Sequence, residues 1–373
     1  MGCNVCRQSE PEAKLSNTVA LNNPNINMKN KDNYNNFIMV FENNMEYIGK
    51  YFPEEDFYSI IPEGTKNYMS DHPFTYNREL NNFSENYNIK PVEFKNGNIY
   101  FGSWNDALKM EGKGKYYLKE EGALAEGFWD NGNLLYARVF LPNGDIYEGE
   151  MNNSNFNGKG QLISANGDVY KGDFLNGEKH GEGTINFLDK ATYEGTFDNG
   201  EFKKGKMVWP NGYEYNGDFV GAKLSGFGML SGRNGEFYQG NFDNNFFNGE
   251  GKYVFENGDT YEGEFQSGVM KGKGVYITKK FEYNGDWNNN LPSGNGQLSS
   301  LNKEGIIKCS WRNGQIMENP VYEKGTQNDF DDIDFDIQPP HMNLNIRELS
   351  HLEIDENIRS QYKIGTCPSF LED

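Results

Sequence analysis

A pattern of about 23 residues repeats along the middle of this 373-residue chain and restricts its fold more than any other feature of the sequence. Each copy reads Tyr, any residue, Gly, any residue and then an aromatic residue, as in Tyr170-Lys-Gly-Asp-Phe174, except that the copy at Tyr147 ends in Met151. From Tyr147 to Tyr283, the first tyrosines of successive copies are 22 or 23 residues apart. A fixed period of this length is typical of arrays in which one supersecondary unit is stacked many times.

Alternation within each copy predicts two antiparallel strands. In the first strand, Tyr147, Gly149 and Met151 are two residues apart and therefore share one face. A Gly-x-Gly pattern follows, as in Gly158-Lys-Gly160, and it predicts the partner strand. Asn-Gly pairs such as Asn166-Gly167 precede the next copy, and Asn-Gly supplies the positive φ angles of tight hairpin turns. Each copy is therefore predicted to be a β-hairpin.

The predicted fold class is all-β: an elongated, single-layer antiparallel sheet of repeated hairpins, with an irregular N-terminal cap and a short C-terminal helix. A glycine between two rings on one face leaves a slot for an aromatic ring of a neighbouring strand. Degenerate copies extend the array at Ala125–Trp129 and at Ile307–Trp311, and Lys203–Lys206 departs from the Gly-x-Gly pattern. We expect these copies to pack less regularly.

Composition divides the chain into four parts. Residues 1–36 are polar and lack periodicity, which is typical of a flexible tether. Residues 37–95 are rich in apolar side chains and contain one further degenerate copy, so we expect a folded cap. Residues 96–316 form the array. Residues 317–373 form an acidic tail in which apolar side chains near helical spacing predict an amphipathic helix, which either docks on the protein's own groove or binds a partner.

The copy at Tyr261–Phe265, followed by Gly272-Lys-Gly274, resembles the MORN (membrane occupation and recognition nexus) repeat, and the resemblance covers residues 96–316. It implies a binding scaffold whose groove of aromatic residues and glycines accepts a partner helix or an extended peptide. Other MORN proteins lie at membrane–cytoskeleton junctions, in cortical structures or in ciliary radial spokes. Some MORN arrays pair with one another, so a homo-oligomer remains open here.

The ring positions of the regular copies form the predicted partner-binding face. They are Tyr147, Tyr170, Phe174, Tyr193, Phe197, Tyr215, Phe219, Tyr238, Phe242, Tyr261, Phe265, Tyr283 and Trp287. The alternative is that most of these rings are simply the core of the sheet. Because a single-layer sheet cannot cover both of its faces, we expect some rings, such as Tyr215 and Tyr238, to be exposed and to mark a partner site.

The first six residues, Met1-Gly2-Cys3-Asn4-Val5-Cys6, resemble a dual-acylation signal. Removal of Met1 exposes Gly2 for myristoylation, and Cys3 and Cys6 offer thiols for the second lipid that stable anchoring needs. Cys6 occupies the position at which the usual pattern has Ser or Thr. An unmodified tail, or a metal or redox pair of Cys3 and Cys6, are the alternatives.

Charge and residue types exclude several classes of function. The formal net charge of −20 disfavours a nucleic-acid partner, because nothing would neutralise phosphates. Four dispersed histidines and four cysteines provide little material for a metal cage or a catalytic triad, so we predict no enzyme, no cofactor and no metal. No apolar run reaches the length of a transmembrane helix. Since no polybasic patch is present either, membrane contact would depend on acyl chains.

These observations favour a non-enzymatic scaffold that is peripheral to the cytosolic face of a membrane and recruits protein partners along its repeats. The alternative is an unlipidated structural component of the cytoskeleton or of a cilium. A regulatory subunit of an enzyme is a third hypothesis.

Overall fold

A computed structural model describes residues 49–74, 90–344 and 349. It divides them into two compact units, with the boundary between Ser154 and Asn155. The predicted lipidation residues Gly2, Cys3 and Cys6, the tether, and the segment predicted to form the C-terminal helix (residues 346–362, apart from Leu349) lie outside the described residues.

The described residues of the first unit form two short helices and an antiparallel sheet. The elements are β1 (Lys50–Tyr51), α1 (Glu54–Ile60), α2 (Glu63–Asp71), β2 (Val92–Glu93), β3 (Ile99–Trp104), β4 (Met110–Leu118), β5 (Ala123–Asp130), β6 (Asn133–Phe140) and β7 (Ile146–Asn152). Each strand from β1 to β7 pairs with the next strand in the sequence. Gly49 and the β1 strand are the described part of the degenerate copy predicted before residue 95.

The described part of the cap contains the two helices α1 and α2, where the sequence predicted an irregular structure. Phe57 of α1 is buried against Ile99, Leu124 and Phe140, which lie on the face of the sheet opposite to the tyrosine rings. Proline residues immediately precede both helices, and the first turns are acidic. Carboxylates in a first turn interact favourably with the positive end of the helix dipole, and that signal marks a helix start.

The second unit continues the hairpins. Its strands are β8 (Asn155–Ile163), β9 (Val169–Leu175), β10 (Glu178–Asn186), β11 (Thr192–Asp198), β12 (Glu201–Val208), β13 (Glu214–Val220), β14 (Lys223–Ser231), β15 (Phe237–Asp243), β16 (Phe246–Val254), β17 (Thr260–Gln266), β18 (Val269–Ile277), β19 (Phe281–Asn288), β20 (Leu291–Ser300), β21 (Ile306–Arg312), β22 (Gln315–Ile316) and β23 (Val321–Lys324). A 3-10 turn (Gln327–Phe330) follows.

Strands β8 to β22 pair antiparallel in sequence order, and β23 joins β21. The predicted antiparallel sheet of repeated hairpins is confirmed. The degenerate copy in β21 keeps its pairing with β20 even though Cys309 takes the place of a glycine. Burial raises the pKa of the Cys309 thiol to about 11.

A bulge in the second strand explains the first glycine of each Gly-x-Gly pattern. Gly217 faces Gly228 and Phe219 faces Leu224, so Asp218 alone lies opposite the three residues 225–227. Gly226 lies in this bulge with φ at +63°. A side chain at that left-handed angle would strain the backbone.

The lysine-rich second strand shows a shorter version of this bulge. In the β11–β12 pair, Thr196 faces Lys204 and Phe197 faces Phe202, which leaves Lys203 as the only extra residue. The repeat is accordingly one residue shorter, as its 22-residue step from Tyr193 indicates. Strand β12 still pairs with both of its neighbours, so the departure from the pattern changes the bulge and preserves the ladder.

The two-residue turns lie inside the repeats and not between them, which corrects the position predicted from the Asn-Gly pairs. Asn176 and Gly177, between β9 and β10, have φ angles of +51° and +88°. Both central residues of a type I′ turn need positive φ. The Asn166-Gly167 pair lies between two repeats, and of its two residues only Gly167 has a positive φ angle. The side-chain oxygen of Asn166 accepts a hydrogen bond from the Asp168 amide.

Candidate partner-binding surface

The first tyrosine of each repeat lies flat over two facing glycines. Tyr238 covers Gly240 on its own strand and Gly251 on the next, where an added Cβ would lie 2.4 Å from the tyrosine hydroxyl. That hydroxyl donates a 2.9 Å hydrogen bond to the carbonyl oxygen of Asn241. Burial raises the pKa of Tyr238 well above its ordinary value, so the hydroxyl remains a donor.

The same hydroxyl bond, to the carbonyl three residues later, recurs along the array. It is made by Tyr100, Tyr147, Tyr170, Tyr193, Tyr215, Tyr261 and Tyr283. Each bond satisfies a polar group that would otherwise be buried without a partner, which costs on the order of 1–3 kcal/mol.

The rings of successive repeats form a continuous ladder in the second unit. Tyr215 packs edge-on against Phe219 of its own repeat and Phe242 of the next, with ring centroids 5.0 and 5.2 Å apart. The alternation runs in the order Phe174, Tyr170, Phe197, Tyr193, Phe219, Tyr215, Phe242, Tyr238, Phe265, Tyr261, Trp287, Tyr283 and Trp311. Edge-to-face packing of this kind is favourable beyond the area that it buries.

All of the rings predicted to form a partner-binding face are buried, with 3% or less of their surface exposed. Tyr215 and Tyr238, which we expected to be exposed, have no accessible surface. The structure brings these rings together as the core of the sheet, because each ring is covered by its neighbours and by the second strand. A partner of the folded array would therefore contact other side chains and the backbone around the ladder.

The opposite face of the second unit is mainly polar. Its lysines form exposed ion pairs with carboxylates of neighbouring strands, such as Lys204 with Asp218 and Lys252 with Glu262, both at 3.5 Å. Such pairs contribute little to stability. Phe227 on β14 interrupts this polar face and is 55% exposed.

In the first unit, Arg138 links the cap to the sheet. Its guanidinium donates to Glu148 at 2.7 Å, to Glu126 at 3.3 Å and to the carbonyl oxygen of His72 just after α2. Burial raises the pKa of Glu126, and the neighbouring charge of Arg138 opposes that shift. The sequence pattern did not indicate this cluster, because its members are brought together by the docking of the helices.

The segment that follows β23 packs onto the second unit. Lys280 donates a 2.8 Å hydrogen bond to the carbonyl oxygen of Asp332, and the Ile337 amide donates to the carbonyl oxygen of Gly314 at 2.9 Å. Leu344 and Leu349 are buried. The described part of the acidic tail, residues 331–344, thus docks on the protein's own array without forming a helix. Whether the predicted helix docks on the array or binds a partner stays a prediction, because its segment lies outside the described residues.

Within residues 49–74, 90–344 and 349, no group of three or more His, Cys, Asp or Glu side chains is arranged to hold a metal ion. Neither described helix has the length and apolarity needed to cross a bilayer.

The sequence model of the MORN repeat matches seven segments of this chain: 147–169, 170–187, 193–212, 215–237, 238–260, 261–279 and 283–300. Residues 147–300 are seven MORN repeats. MORN repeats are a non-enzymatic scaffold type and suggest a protein-binding role. Strands β3 to β6 and β21, outside the matched segments, continue the same hairpin pairing.

No curated protein matches the sequence. Among solved structures, this chain is similar to the SAS-4 (dCPAP) TCP domain of Drosophila melanogaster in complex with a proline-rich motif of Ana2. The two sequences are 13% identical, and the similarity covers 45% of this chain and 85% of that chain, with a TM-score of 0.24. The TCP10 domain of Danio rerio CPAP, in complex with a STIL peptide, is 10% identical over 61% of this chain and 99% of that chain, with a TM-score of 0.28. Both TM-scores are below 0.5, so neither similarity supports an inference about this protein.

Proposed function

We propose that this protein is a non-enzymatic scaffold that binds protein partners along its MORN array and is tethered to the cytosolic side of a membrane by acyl chains on Gly2, Cys3 and Cys6. The seven matched repeats are the observation that supports the scaffold. In a repeat array, each unit contacts mainly its neighbours, so a long surface is available to partners.

The buried ring ladder positions the hairpins that form this surface. Because the rings from Tyr147 to Trp287 hold the hairpins together, we place partner contacts on the side chains and turns that border them. Exposed apolar groups such as Phe227 are candidates for such contacts, since exposed apolar surface commonly marks interaction sites.

The N-terminal sequence supports the membrane tether. Gly2 follows Met1 directly, and two cysteines lie within the next four residues. A single myristoyl chain gives only marginal binding, with an association constant of about 10⁴ M⁻¹, so a second lipid is needed for stable attachment. Because the overall charge is −20, electrostatic attraction to an anionic bilayer cannot take the place of the second lipid.

Membrane partition of the full-length protein in cells tests the tether. We expect wild type in the membrane fraction, Gly2→Ala in the soluble fraction, and Cys3→Ser/Cys6→Ser largely released, because it retains at most one lipid. Cys367→Ser is the control and should partition as wild type does, since it lies outside the proposed signal. Equal partition of all four proteins would contradict acylation, and a structural component of the cytoskeleton or of a cilium would then be the better account.

A further inference from the structure

A notch beside the turn between β14 and β15 holds the side chain of Leu344. We define the notch by Tyr213, Gly232, Glu236 and Tyr253. The Tyr213 hydroxyl donates a 3.0 Å hydrogen bond to the carbonyl oxygen of residue 343. The amide of residue 343 donates to Glu236 Oε1, and the Leu344 amide donates to the Tyr253 hydroxyl, both at 3.4 Å. Leu344 and Glu236 are only 5% and 4% exposed.

The absence of a side chain at Gly232 makes room for the leucine. The first residue of each turn between repeats donates its amide to a carbonyl three to five residues later, and these first residues are Ser164, Phe187, Trp209, Gly232, Phe255, Thr278 and Ser300. Glycine occurs once in this set, at a position whose φ is not positive. The backbone therefore does not require glycine there, whereas an added Cβ would lie 3.0 Å from Leu344 Cδ2.

The next repeat provides a natural comparison. Its Tyr276 hydroxyl donates to Asp259 at 2.6 Å, just as the Tyr253 hydroxyl donates to Glu236 at 3.0 Å. Phe255 stands at the position of Gly232 in that repeat, so its turn has no equivalent space. The tyrosine–carboxylate pair is thus a feature of both repeats, and the leucine-sized gap distinguishes the notch.

We propose that the notch is a docking site for an extended peptide that presents a leucine, and that Asn343–Leu344 of this chain occupies it as an intramolecular competitor of a partner with such a segment. This inference rests on the proposed scaffold function and names one site for it. The notch engages one backbone carbonyl, two backbone amides and one apolar side chain, which is the way in which extended peptides are commonly recognised. A contact of one leucine and three hydrogen bonds is weak enough to exchange.

Competition has a measurable consequence. A segment on the same chain acts at an effective concentration in the millimolar range, so it masks its site from a weaker external ligand. The substitution Leu344→Ala in the full-length protein should open the notch without altering the residues that form it.

Fluorescence anisotropy with a fluorescein-labelled synthetic peptide of residues 338–350 tests the proposal on the full-length chain. We expect Leu344→Ala protein to bind this probe at least tenfold more tightly than wild type does. A probe that carries Ala at position 344 should bind at least tenfold more weakly, because alanine buries much less apolar surface in the notch than leucine does. Thermal unfolding confirms beforehand that each variant is folded.

Two variants that each lose one hydroxyl make the test specific to the notch. In the Leu344→Ala background, Tyr253→Phe should weaken probe binding about three- to tenfold, and Tyr276→Phe should leave it unchanged. Equal binding by wild type and Leu344→Ala, or equal losses for the two tyrosine variants, would overturn the proposal. Those outcomes are independent of the membrane partition of the same proteins, so failure of the notch is distinguishable from failure of the lipid-tethered scaffold.

Discussion

At the residue scale, the two glycines of each Gly-x-Gly pattern serve different purposes. Gly249 lies in a bulge with φ at +71°, whereas Gly251 lies under the ring of Tyr238. The first is required by backbone conformation and the second by the space that a ring occupies. Tyrosine suits this position because its hydroxyl reaches the carbonyl three residues later while its ring covers the glycines.

Alanine substitutions separate these purposes. At Gly240, an added Cβ would lie 2.4 Å from the Tyr238 hydroxyl and 2.6 Å from Gly251 Cα, so we expect Gly240→Ala to reduce the free energy of unfolding by about 3 kcal/mol or more. Gly258 has φ at +87° and open space around it, so Gly258→Ala should cost only about 1 kcal/mol. Urea titration measures both values. Equal costs would show that the ring does not limit the space at Gly240.

At the element scale, hydrogen bonds from turn residues to the preceding hairpin join successive hairpins at one edge of the sheet. The Gly268 amide donates to the carbonyl oxygen of Phe247, and the Asn290 amide donates to that of Met270. The Asn290 side chain also accepts a bond from the Met270 amide at 2.7 Å. Turn residues therefore both reverse the chain and couple neighbouring repeats.

The turn at Ser267-Gly268 departs from the usual sequence and can be improved. Ser267 has φ at +51°, an angle at which the repeats on either side have Asn. Asparagine tolerates the left-handed region better than serine does, so Ser267→Asn should raise the free energy of unfolding by about 0.5 kcal/mol. Ser267→Ala should lower it, because alanine lacks a side chain that bonds locally. A thermal melt compares the two variants, and a lower melting temperature for Ser267→Asn would contradict the assignment of this turn.

At the scale of the whole molecule, each unit is held together in its own way. The first unit covers one face of its sheet with α1 and α2 and buries Arg138 beneath them. The second unit relies on its ring ladder, in which each ring from Phe174 to Tyr283 contacts a ring of its own repeat and a ring of an adjacent repeat. Stability in such an array is approximately a sum of local contributions and nearest-neighbour contributions, so damage at one repeat should spread over short distances.

Removal of one central ring tests this expectation. Tyr238→Ser deletes a fully buried ring that contacts Phe242 and Phe265, at a cost of about 3–5 kcal/mol. Hydrogen exchange should increase in β14 to β17 and change much less in β8 to β10. Tyr322→Ser, at a ring that is 38% exposed on β23, is the control and should alter exchange little. Uniform loss of protection across the second unit would show that its repeats unfold as one.

Periodicity in the sequence determined the hairpins and the type of repeat, because a pattern that recurs every 22 or 23 residues needs no information from distant residues. Spacing also identified the rings, but it did not decide whether they face a partner or one another. That depends on how rings of adjacent repeats fill the space over the glycines, which is a property of packing across strands.

Only the tertiary structure decided where the flanking segments lie. The sequence predicted a folded cap but not that α1 would bury Phe57 against Ile99, and it left open where the acidic tail would dock. The sequence shows Gly232 as the one glycine at its position in the repeat. Only the structure explains it, because Leu344, more than one hundred residues away, lies against that glycine. Local patterns fix elements that interact with sequence neighbours, whereas contacts between distant segments arise only when those elements pack together.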